Sequence, residues 1–291
     1  MTSAAFGNWV KHRVAALSLG HWGTLDPSAC GVLVMAVGEA TRLLPLLRDS
    51  RKRYVFDFKA GSSTDTGDED GRILATAPVP PGWERGLAEA VGSLVGEFHQ
   101  IPPMYSAVKI AGRPLYEAAR RGEDVRRAPR RTQIHDLRIV AAEPGGARLA
   151  VHCDSGTYVR ALCEELGRRL GLPAHMGSLL RVAAGPFRLA TSKLASDIAG
   201  DGARCIVDPL AVLDSPRVVL QGADKDRFCH GNVVMLADCH RGFHHREAIV
   251  LDGCRPVGTG RFEETSAQLR LFPTRVFAEP GAGGTSKDAN S

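Results

Sequence analysis

Residues 52–60 read KRYVFDFKA, a stretch in which apolar and polar side chains alternate. Every second residue from Tyr54 to Ala60 is aromatic or small and apolar, whereas Asp57 and Lys59 lie on the opposite face. A period of two is that of a half-buried strand. We therefore predict a sheet with one buried face built around this stretch.

Patterns on both sides of this strand predict further strands and helices. Upstream, a Gly-rich loop runs into the apolar run Val32–Val37, which is typical of a buried strand. Apolar residues at helical spacing predict a helix over 87–98 and another over 159–170, the second closed by Gly171. Residues 147–153 alternate as a strand. Residues 1–213 are therefore predicted to form an α+β domain with an antiparallel or mixed sheet.

The C-terminal part has a different pattern. Pro209 and Pro216 interrupt a connecting segment, after which short strand-like runs alternate with Gly-containing stretches. This pattern predicts a small β barrel over residues 214–278. Residues 279–291 read EPGAGGTSKDANS, lack apolar side chains to bury and are predicted to be a disordered tail. The strand-like runs are Val218–Leu220, Val233–Leu236, Ala248–Leu251 and Leu269–Phe272.

Composition and charge exclude few functions. The chain has 291 residues, 44% of them hydrophobic, and a net charge of +5 with neutral His, as in many globular proteins. No apolar run approaches the ~20 residues of a membrane helix, and no secretory signal precedes the first loop. The seven Cys include no CxxC pair, which favours reduced thiols. We therefore expect a cytoplasmic protein without membrane association. The small net charge does not distinguish an RNA-binding protein from other cytosolic enzymes.

The loop at residues 20–31, GHWGTLDPSACG, carries the densest chemical signal. Its three glycines allow the backbone to approach a ligand closely. One interpretation of Asp26 is a helix N-cap, because Pro27 follows it. Gly31 follows five residues after Asp26, so any helix that Asp26 caps has one turn at most. The alternative interpretation is that the Asp26 carboxylate has a chemical role.

Arg160 lies at an unfavourable place for a cation. If Thr157 is the N-cap of the predicted helix, Arg160 occupies the first turn, where the helix dipole opposes positive charge by about 0.3–1 kcal/mol. Arg160 is either simply exposed to solvent or held by an anion, for which Asp26 is the candidate. Such a pair would lower the pKa of Asp26.

Residues 113–131 contain seven Arg and three acidic residues, a charge of +4. A solvated surface is the usual explanation of such a run. The absence of Lys favours phosphate binding instead, because the guanidinium fork matches phosphate oxygens. Arg126 and Arg127 are the candidate RNA contacts in this run.

Two stretches contain residue types that can bind metals but lack the spacing of known metal sites. The acidic stretch 65–71 lacks the Asp and Glu that a calcium loop needs at positions 66 and 77. A group of Cys and His in the C-terminal part lacks paired zinc-ligand spacing, so we predict no metal. This group comprises Cys229, His230, Cys239, His240, His244, His245 and Cys254.

Four segments occur in an order and at a spacing that resemble the bacterial TruB family of tRNA pseudouridine synthases. The resemblance covers about residues 14–190, and residues 214–278 more weakly resemble that family's PUA-like RNA-binding domain. The four segments are GHWGTLDPSACGVL, KRYVFDFKAGSSTDTGDEDG, IPPMYSAVKIAGRPLYEAARRG and SGTYVRALCEELGRRLG.

The resemblance implies an isomerase that converts the T-loop uridine at tRNA position 55 to pseudouridine. It implies a pseudouridine synthase catalytic domain in residues 1–213, acting alone on the tRNA T arm, as a monomer without guide RNA or protein partner. By motif, Asp26 matches the catalytic aspartate, Tyr54 the tyrosine that stacks on uracil, and Arg160 the arginine paired to the aspartate. Matching positions for substrate contacts are Tyr158, Leu179 and His21.

The implied reaction needs no cofactor. It breaks the N1–C1′ bond, turns the uracil and rejoins it through C5, so no electron or atom is gained. It requires one carboxylate, an aromatic slot and a flipped-out base. Attack at C1′ and proton removal at C2′ both remain open as the first step.

The chain also departs from the family pattern. The family normally begins with a strand and a K-P-x-G-x-T-S segment, of which Thr2-Ser3 would be the remnant, so we expect an uncovered sheet edge. Trp22 and Cys30 replace smaller or hydroxylated residues, and Leu180 stands where a second Arg is usual. Three alternatives therefore stay open: a guide-dependent relative, an RNA-binding or RNA-folding protein that has lost catalysis, and an Asp-dependent hydrolase.

Overall fold

The computed structural model describes residues 1–106, 108–110, 112–123, 125–236, 246–264 and 268–277. The chain divides into two compact units, Met1–Asp208 and Pro209–Ser291. This division falls in the Pro-containing segment, five residues before the predicted limit at residue 213. The predicted tail 279–291 lies outside the described residues.

The first unit mixes helices and strands. Its helices are α1 (Ser3–Arg13), α2 (Trp83–Gly92), α3 (Leu115–Arg120), α4 (Val159–Leu170) and α5 (Ala195–Asp201), with short 3-10 helices at Gly38–Leu47, Leu189–Thr191 and Ala203–Cys205. Its strands are β1 (Leu19–Trp22), β2 (Cys30–Gly31), β3 (Val34–Val37), β4 (Lys52–Ala60), β5 (Ser62–Thr64), β6 (Ile73–Thr76), β7 (Gly96–Gln100), β8 (Lys109–Ile110), β9 (Arg113–Pro114), β10 (Arg130–Glu143), β11 (Gly146–Cys153), β12 (Ala174–Ala184) and β13 (Phe187–Arg188).

A seven-stranded mixed sheet organises the first unit. Its strands follow the order β13-β12-β4-β11-β10-β7, and β2 pairs in parallel with β12. β4 has the predicted bounds and lies between β11 and β12, antiparallel to both. Its buried face packs with α2 and α4 in one apolar core that includes Phe56, Phe58, Leu87 and Leu162. The α+β prediction is confirmed.

The predicted helix over residues 87–98 is wrong in its second half. α2 ends at Gly92, Leu94 is buried beyond it, and Phe98 belongs to strand β7. Gly96 has φ +117°, a conformation that ends any helical continuation. The apolar spacing persists because the turn and the strand bury their side chains against the same core.

The apolar run at Val32–Val37 forms a strand only from Val34, in a separate two-stranded sheet with β1. The preceding residue pair, Cys30–Gly31, joins the main sheet through β12. Gly31 has φ +106°, and a Cβ there would lie 2.3 Å from the carbonyl oxygen of Arg181. Glycine is therefore required for the loop to reach the sheet edge at this point.

The second unit is a small β domain with its own core. Its elements are α6 (Pro209–Val212), α7 (Gly222–Cys229), β14 (Arg217–Val219), β15 (Val234–Leu236), β16 (Glu247–Asp252), β17 (Arg255–Glu264) and β18 (Leu269–Val276). The five-stranded sheet follows the order β14-β16-β17-β18-β15 around Phe228 and Phe262. The four predicted strands are present; β17 escaped prediction because Gly258 and Gly260 occupy buried positions in it.

Candidate active site

Asp26 lies in the loop that follows β1, within a single turn and not at the start of a helix. The amide of Ala29 donates to the Asp26 carbonyl oxygen at 3.0 Å. Ser3 in α1 holds the loop from the other side: its hydroxyl donates to the Leu25 carbonyl oxygen at 3.2 Å and accepts from the Leu25 amide at 3.0 Å. The backbone beside the carboxylate is thus fixed at two points, and the N-cap interpretation of Asp26 is wrong.

Arg160 joins three loops around this carboxylate. Its side chain is 3% exposed, and Nη2 donates to Asp26 Oδ1 at 3.1 Å. Nη2 also donates to the Tyr105 carbonyl oxygen at 2.8 Å, and Nη1 to the Thr66 carbonyl oxygen at 3.0 Å. Nε lies 3.7 Å from Asp68 Oδ2. The expected contact between Asp26 and Arg160 is present, and the interpretation of Arg160 as an exposed side chain is wrong.

The start of α4 differs by one residue from the predicted N-cap. Tyr158 is the N-cap residue, so Arg160 is the second residue of the helix. The Thr157 hydroxyl donates to the Asp154 carbonyl oxygen at 2.9 Å and lies 2.7 Å from the Thr132 hydroxyl, and so does not cap the helix. The unfavourable dipole at Arg160 is offset by the carboxylates of Asp26 and Asp68.

Burial raises the pKa of Asp26 above its ordinary value, and Arg160 opposes this shift. Asp68 and Asp70 add to the increase because their negative charges disfavour a third one. The expected lowering of the Asp26 pKa is therefore wrong in sign, because desolvation outweighs the guanidinium. The side chain remains 31% exposed, so a substrate can still reach the carboxylate.

Tyr54 and Arg181 lie opposite each other on β4 and β12. Burial raises the pKa of Tyr54 to about 12, although the Arg181 guanidinium donates to its phenolic oxygen. Arg181 also donates to the carbonyl oxygens of Val32 (Nε, 2.6 Å) and Gly23 (Nη2, 2.7 Å). Arg181 thus fastens the Asp26 loop to the sheet. In the sequence, Arg181 is distinguished only as the arginine that follows Leu180, and no pattern there predicts this role.

Lys52 is a second cation beneath the loop that the sequence did not single out. Its ammonium lies 4.7 Å from the centre of the Trp22 ring, which covers it. Burial, followed by the nearby Arg181 charge, lowers the pKa of Lys52 to about 8. Gly23 has φ +73°, a conformation that favours glycine, and a Cβ there would lie 2.9 Å from this ammonium.

The other expected pocket residues surround the same loop. Leu179 is 7% exposed on β12, and its carbonyl oxygen accepts a hydrogen bond from Cys30 Sγ at 3.7 Å. Burial raises the pKa of Tyr158, at the start of α4, while Ser106 lies beside its hydroxyl. His21 Nε2 lies 3.3 Å from the Thr24 hydroxyl. The sequence motifs thus converge on the Asp26 loop, β4, β12 and the start of α4.

The two arginines of the basic run behave differently. Arg126 is exposed. Arg127 folds back, and its guanidinium donates to the carbonyl oxygens of Pro102 at 3.1 Å and Val125 at 3.2 Å. Arg121 pairs with Glu123 at 2.6 Å. Part of the run therefore stabilises its own segment.

In the described residues, no three His, Cys, Asp or Glu side chains are grouped closely enough to hold a metal ion. Cys239, His240, His244 and His245 of the C-terminal group lie outside these residues. No helix of the described part is long and apolar enough to cross a membrane.

The fold resembles solved structures. The protein in the structure titled "Crystal Structure of a Cbf5-Nop10-Gar1 Complex" matches with a TM-score of 0.70 and 24% identity. The match covers 96% of this chain and 82% of that one. At this identity the likeness establishes the fold alone.

Sequence comparisons are more specific. "tRNA pseudouridine synthase B" of Syntrophotalea carbinolica is 44% identical over 187 residues, 64% of this chain. That match spans 61% of the relative's length. The protein of the same name from Azoarcus sp. is 35% identical over 283 residues, 96% of this chain and 91% of the relative.

Residues 11–159 match the model of the TruB family pseudouridylate synthase N-terminal domain. This range contains the Asp26 loop, β4 and the turn before α4. This match and the Azoarcus sp. relative, which is matched over 91% of its length, show that the chain belongs to the TruB family of pseudouridylate synthases.

Proposed function

We propose that the protein is a tRNA pseudouridine synthase that isomerises the T-loop uridine at position 55. The observation that carries this proposal is the Asp26 carboxylate, which is partly exposed and held by a guanidinium that is itself 3% exposed. Tyr54 on β4, whose pKa is raised mainly by burial, lies near enough to Asp26 for the carboxylate charge to add to that increase. One placed carboxylate beside an aromatic ring meets the needs of a reaction that moves a glycosidic bond within one nucleoside.

The reaction begins with a flipped-out uridine, whose ring stacks on Tyr54. Asp26 then acts in its ionised form, either by attack at C1′ or by removal of the C2′ proton. The N1–C1′ bond breaks, the uracil turns, and C5 bonds to C1′. On the first route the Asp26–C1′ ester breaks as this bond forms; on the second, Asp26 returns the proton to C2′. Loss of the C5 proton to a base restores the aromatic ring, and N1 gains a proton. The raised pKa of Tyr54 keeps its hydroxyl protonated at neutral pH, so it can donate a hydrogen bond.

The protein is proposed to act alone in the cytoplasm, as a monomer that binds the T arm of tRNA. His21, Tyr158 and Leu179 contact the flipped-out region, Arg126 contacts phosphate, and the second unit adds RNA contacts as a PUA-like domain. The stand-alone reading rests on the acidic segment 63–71 and on the Arg-rich run, together with the names of the bacterial relatives. Dependence on a guide RNA is an outcome that the assay below detects.

Purified protein incubated with unmodified tRNA transcript tests the proposal. We expect pseudouridine at position 55 and none in a transcript that carries cytidine there. Binding without product would instead identify an RNA-binding protein that has lost catalysis. Product formed only after addition of a guide RNA would favour the guide-dependent alternative.

Arg126→Ala should weaken tRNA binding mainly at low salt. Loss of one phosphate contact flattens the slope of log K against log salt by about 0.7–0.9. Arg204→Ala is the matched control, because its exposed guanidinium pairs with Asp201 at 3.1 Å outside the basic run. Equal slopes for wild type and Arg126→Ala would show that Arg126 makes no phosphate contact and that the basic run is a solvated surface.

Arg127→Ala should weaken tRNA binding and also lower the stability of the fold, since the hydrogen bonds of Arg127 to Pro102 and Val125 are lost.

EDTA should leave turnover unchanged. The proposed reaction transfers no electron and requires no Lewis acid, so chelation removes nothing that it needs. Turnover is measured before and after dialysis against EDTA, with a zinc add-back. Loss of turnover that zinc restores would show that the Cys and His group of the second unit was misinterpreted.

A further inference from the structure

Gln100 is a buried amide that the chemistry described above does not use. It is 3% exposed and is the last residue of β7, the edge strand of the main sheet. Its Nε2 donates to the Gly156 carbonyl oxygen at 2.8 Å. Its Oε1 accepts from the Tyr158 amide at 2.8 Å. One side chain therefore fixes both ends of the turn that leads into α4.

This turn needs an external partner. Tyr158 is the N-cap of α4, and no side-chain capping hydrogen bond is made by this residue. Gly156 has φ +89°, so the turn has a conformation that most residues do not adopt. Gln100 satisfies one backbone acceptor and one backbone donor of this partly buried turn, and its own amide is buried. The partner comes from a different strand and so ties the helix start to the sheet.

Gln100 also adjoins the second segment that holds Arg160. Four residues separate Gln100 from Tyr105, whose carbonyl oxygen accepts a hydrogen bond from Arg160. The Gln100 side chain thus holds the turn before α4, and the segment that reaches Tyr105 begins at Gln100, the end of β7. A shift of either segment changes the position of Arg160 relative to Asp26.

We propose that Gln100 is a positioning residue for the reaction, which sets the start of α4 so that Arg160 meets Asp26 and Tyr158 faces the pocket. This inference rests on the proposed function and deepens it. Misplacement of a reacting group by about 1 Å costs as much as 10²-fold in rate. We call the two hydrogen bonds from Gln100 to Gly156 and Tyr158 the Gln100 clamp. Loss of this clamp should therefore lower kcat, while the RNA-contacting surface and KM are preserved.

Gln100→Met tests the inference, because methionine has a similar volume and lacks both hydrogen-bonding groups. We expect kcat to fall about 10–100-fold with KM for tRNA within about threefold of wild type. Thr132→Val is the matched control: it removes the 2.7 Å contact with the Thr157 hydroxyl in the same turn and leaves the Tyr158 amide bonded. Thr132→Val should keep kcat within about threefold. A similar loss in both variants, or a normal kcat for Gln100→Met, overturns the inference.

Gln100→Glu adds a pH-dependent measurement of kcat, which a purely structural role of Gln100 would leave unchanged. A protonated glutamic acid reproduces both hydrogen bonds, whereas the ionised form lacks the donor and repels the Gly156 carbonyl oxygen. The ratio of its kcat to that of wild type should therefore rise as the pH falls. Wild type and variant share the charged and titratable groups nearby. These are Arg130 opposite Gln100 on β10, His99 on β7, Asp154 in the turn, Tyr158 before α4 and Arg160 in α4. A ratio independent of pH contradicts the inference.

A measurement without turnover separates this inference from the proposed function. If wild type forms no pseudouridine, the proposed function fails, and the clamp is then tested by carboxyl NMR titration of Asp26. Gln100→Met should raise the pKa of Asp26 further, because Arg160 no longer approaches it as closely. Thr132→Val should leave that titration as in wild type. An unchanged Asp26 titration in Gln100→Met overturns the clamp whatever the activity.

Discussion

Asp26→Asn is expected to keep the fold and tRNA affinity and to lose turnover by at least about 10²-fold. Asparagine has the shape of aspartate, and the backbone hydrogen bonds at Leu25 and Ala29 do not involve the carboxylate. It cannot attack C1′ or accept a proton from C2′. The variant also removes a buried charge whose ionisation is unfavourable, so its stability should match or exceed that of wild type at neutral pH.

Single-turnover kinetics on unmodified tRNA and a tRNA-binding assay check this prediction together. Asp136→Asn is the control, because Asp136 is an exposed carboxylate on β10. It should retain wild-type turnover. Turnover of Asp26→Asn within tenfold of wild type would remove Asp26 from the proposed catalytic role.

Arg160→Ala is expected to lower stability more near pH 7 than near pH 4, and to slow turnover. Breaking a buried pair costs about 3–5 kcal/mol, and we expect a value toward the lower end because the Asp26 side chain is 31% exposed. The hydrogen bonds to the carbonyl oxygens of Thr66 and Tyr105 are lost at every pH, which adds a constant part to the effect.

The pH-dependent part follows from the direction of the Asp26 shift. Because burial raises the pKa of Asp26 in the folded protein, its ionisation lowers the free energy of unfolding as the pH rises through the folded pKa. Arg160 offsets part of that loss, so its removal raises the pKa of Asp26 further. The additional loss is present near pH 7 and disappears in acid, where Asp26 is protonated in both proteins. The acid limb of the rate should shift to higher pH as well.

Denaturant unfolding of wild type and Arg160→Ala at both pH values measures the two parts. The double variant Asp26→Asn/Arg160→Ala is the control: without the carboxylate, the destabilisation by Arg160→Ala should no longer depend on this titration. Equal destabilisation of Arg160→Ala at pH 7 and pH 4, with normal turnover, would contradict a functional Asp26–Arg160 pair.

Local sequence determined the elements that carry the site. The alternation of residues 52–60 predicted β4 and both of its ends, because one face of that strand is buried and the other is more exposed. Helical spacing and Gly171, which has φ +69°, reported α4 in the same way. The sequence also brought Asp26 and Arg160 together as a hypothesis, since a cation in the first turn of a helix needs a nearby anion. These patterns lie within short stretches of sequence, so they can be recognised without knowledge of the rest of the chain.

Only the tertiary structure decided how these elements act on each other. The sign of the Asp26 pKa shift depends on how much water the surrounding segments exclude, and this is a sum over residues distant in sequence. Arg181 and Gln100 act on backbone groups more than 50 residues away, and no periodicity marks which carbonyl or amide a side chain will reach. The helix predicted over residues 87–98 failed for a related reason. Helix, turn and strand bury apolar residues against one core, so the sequence records burial there without recording the backbone path.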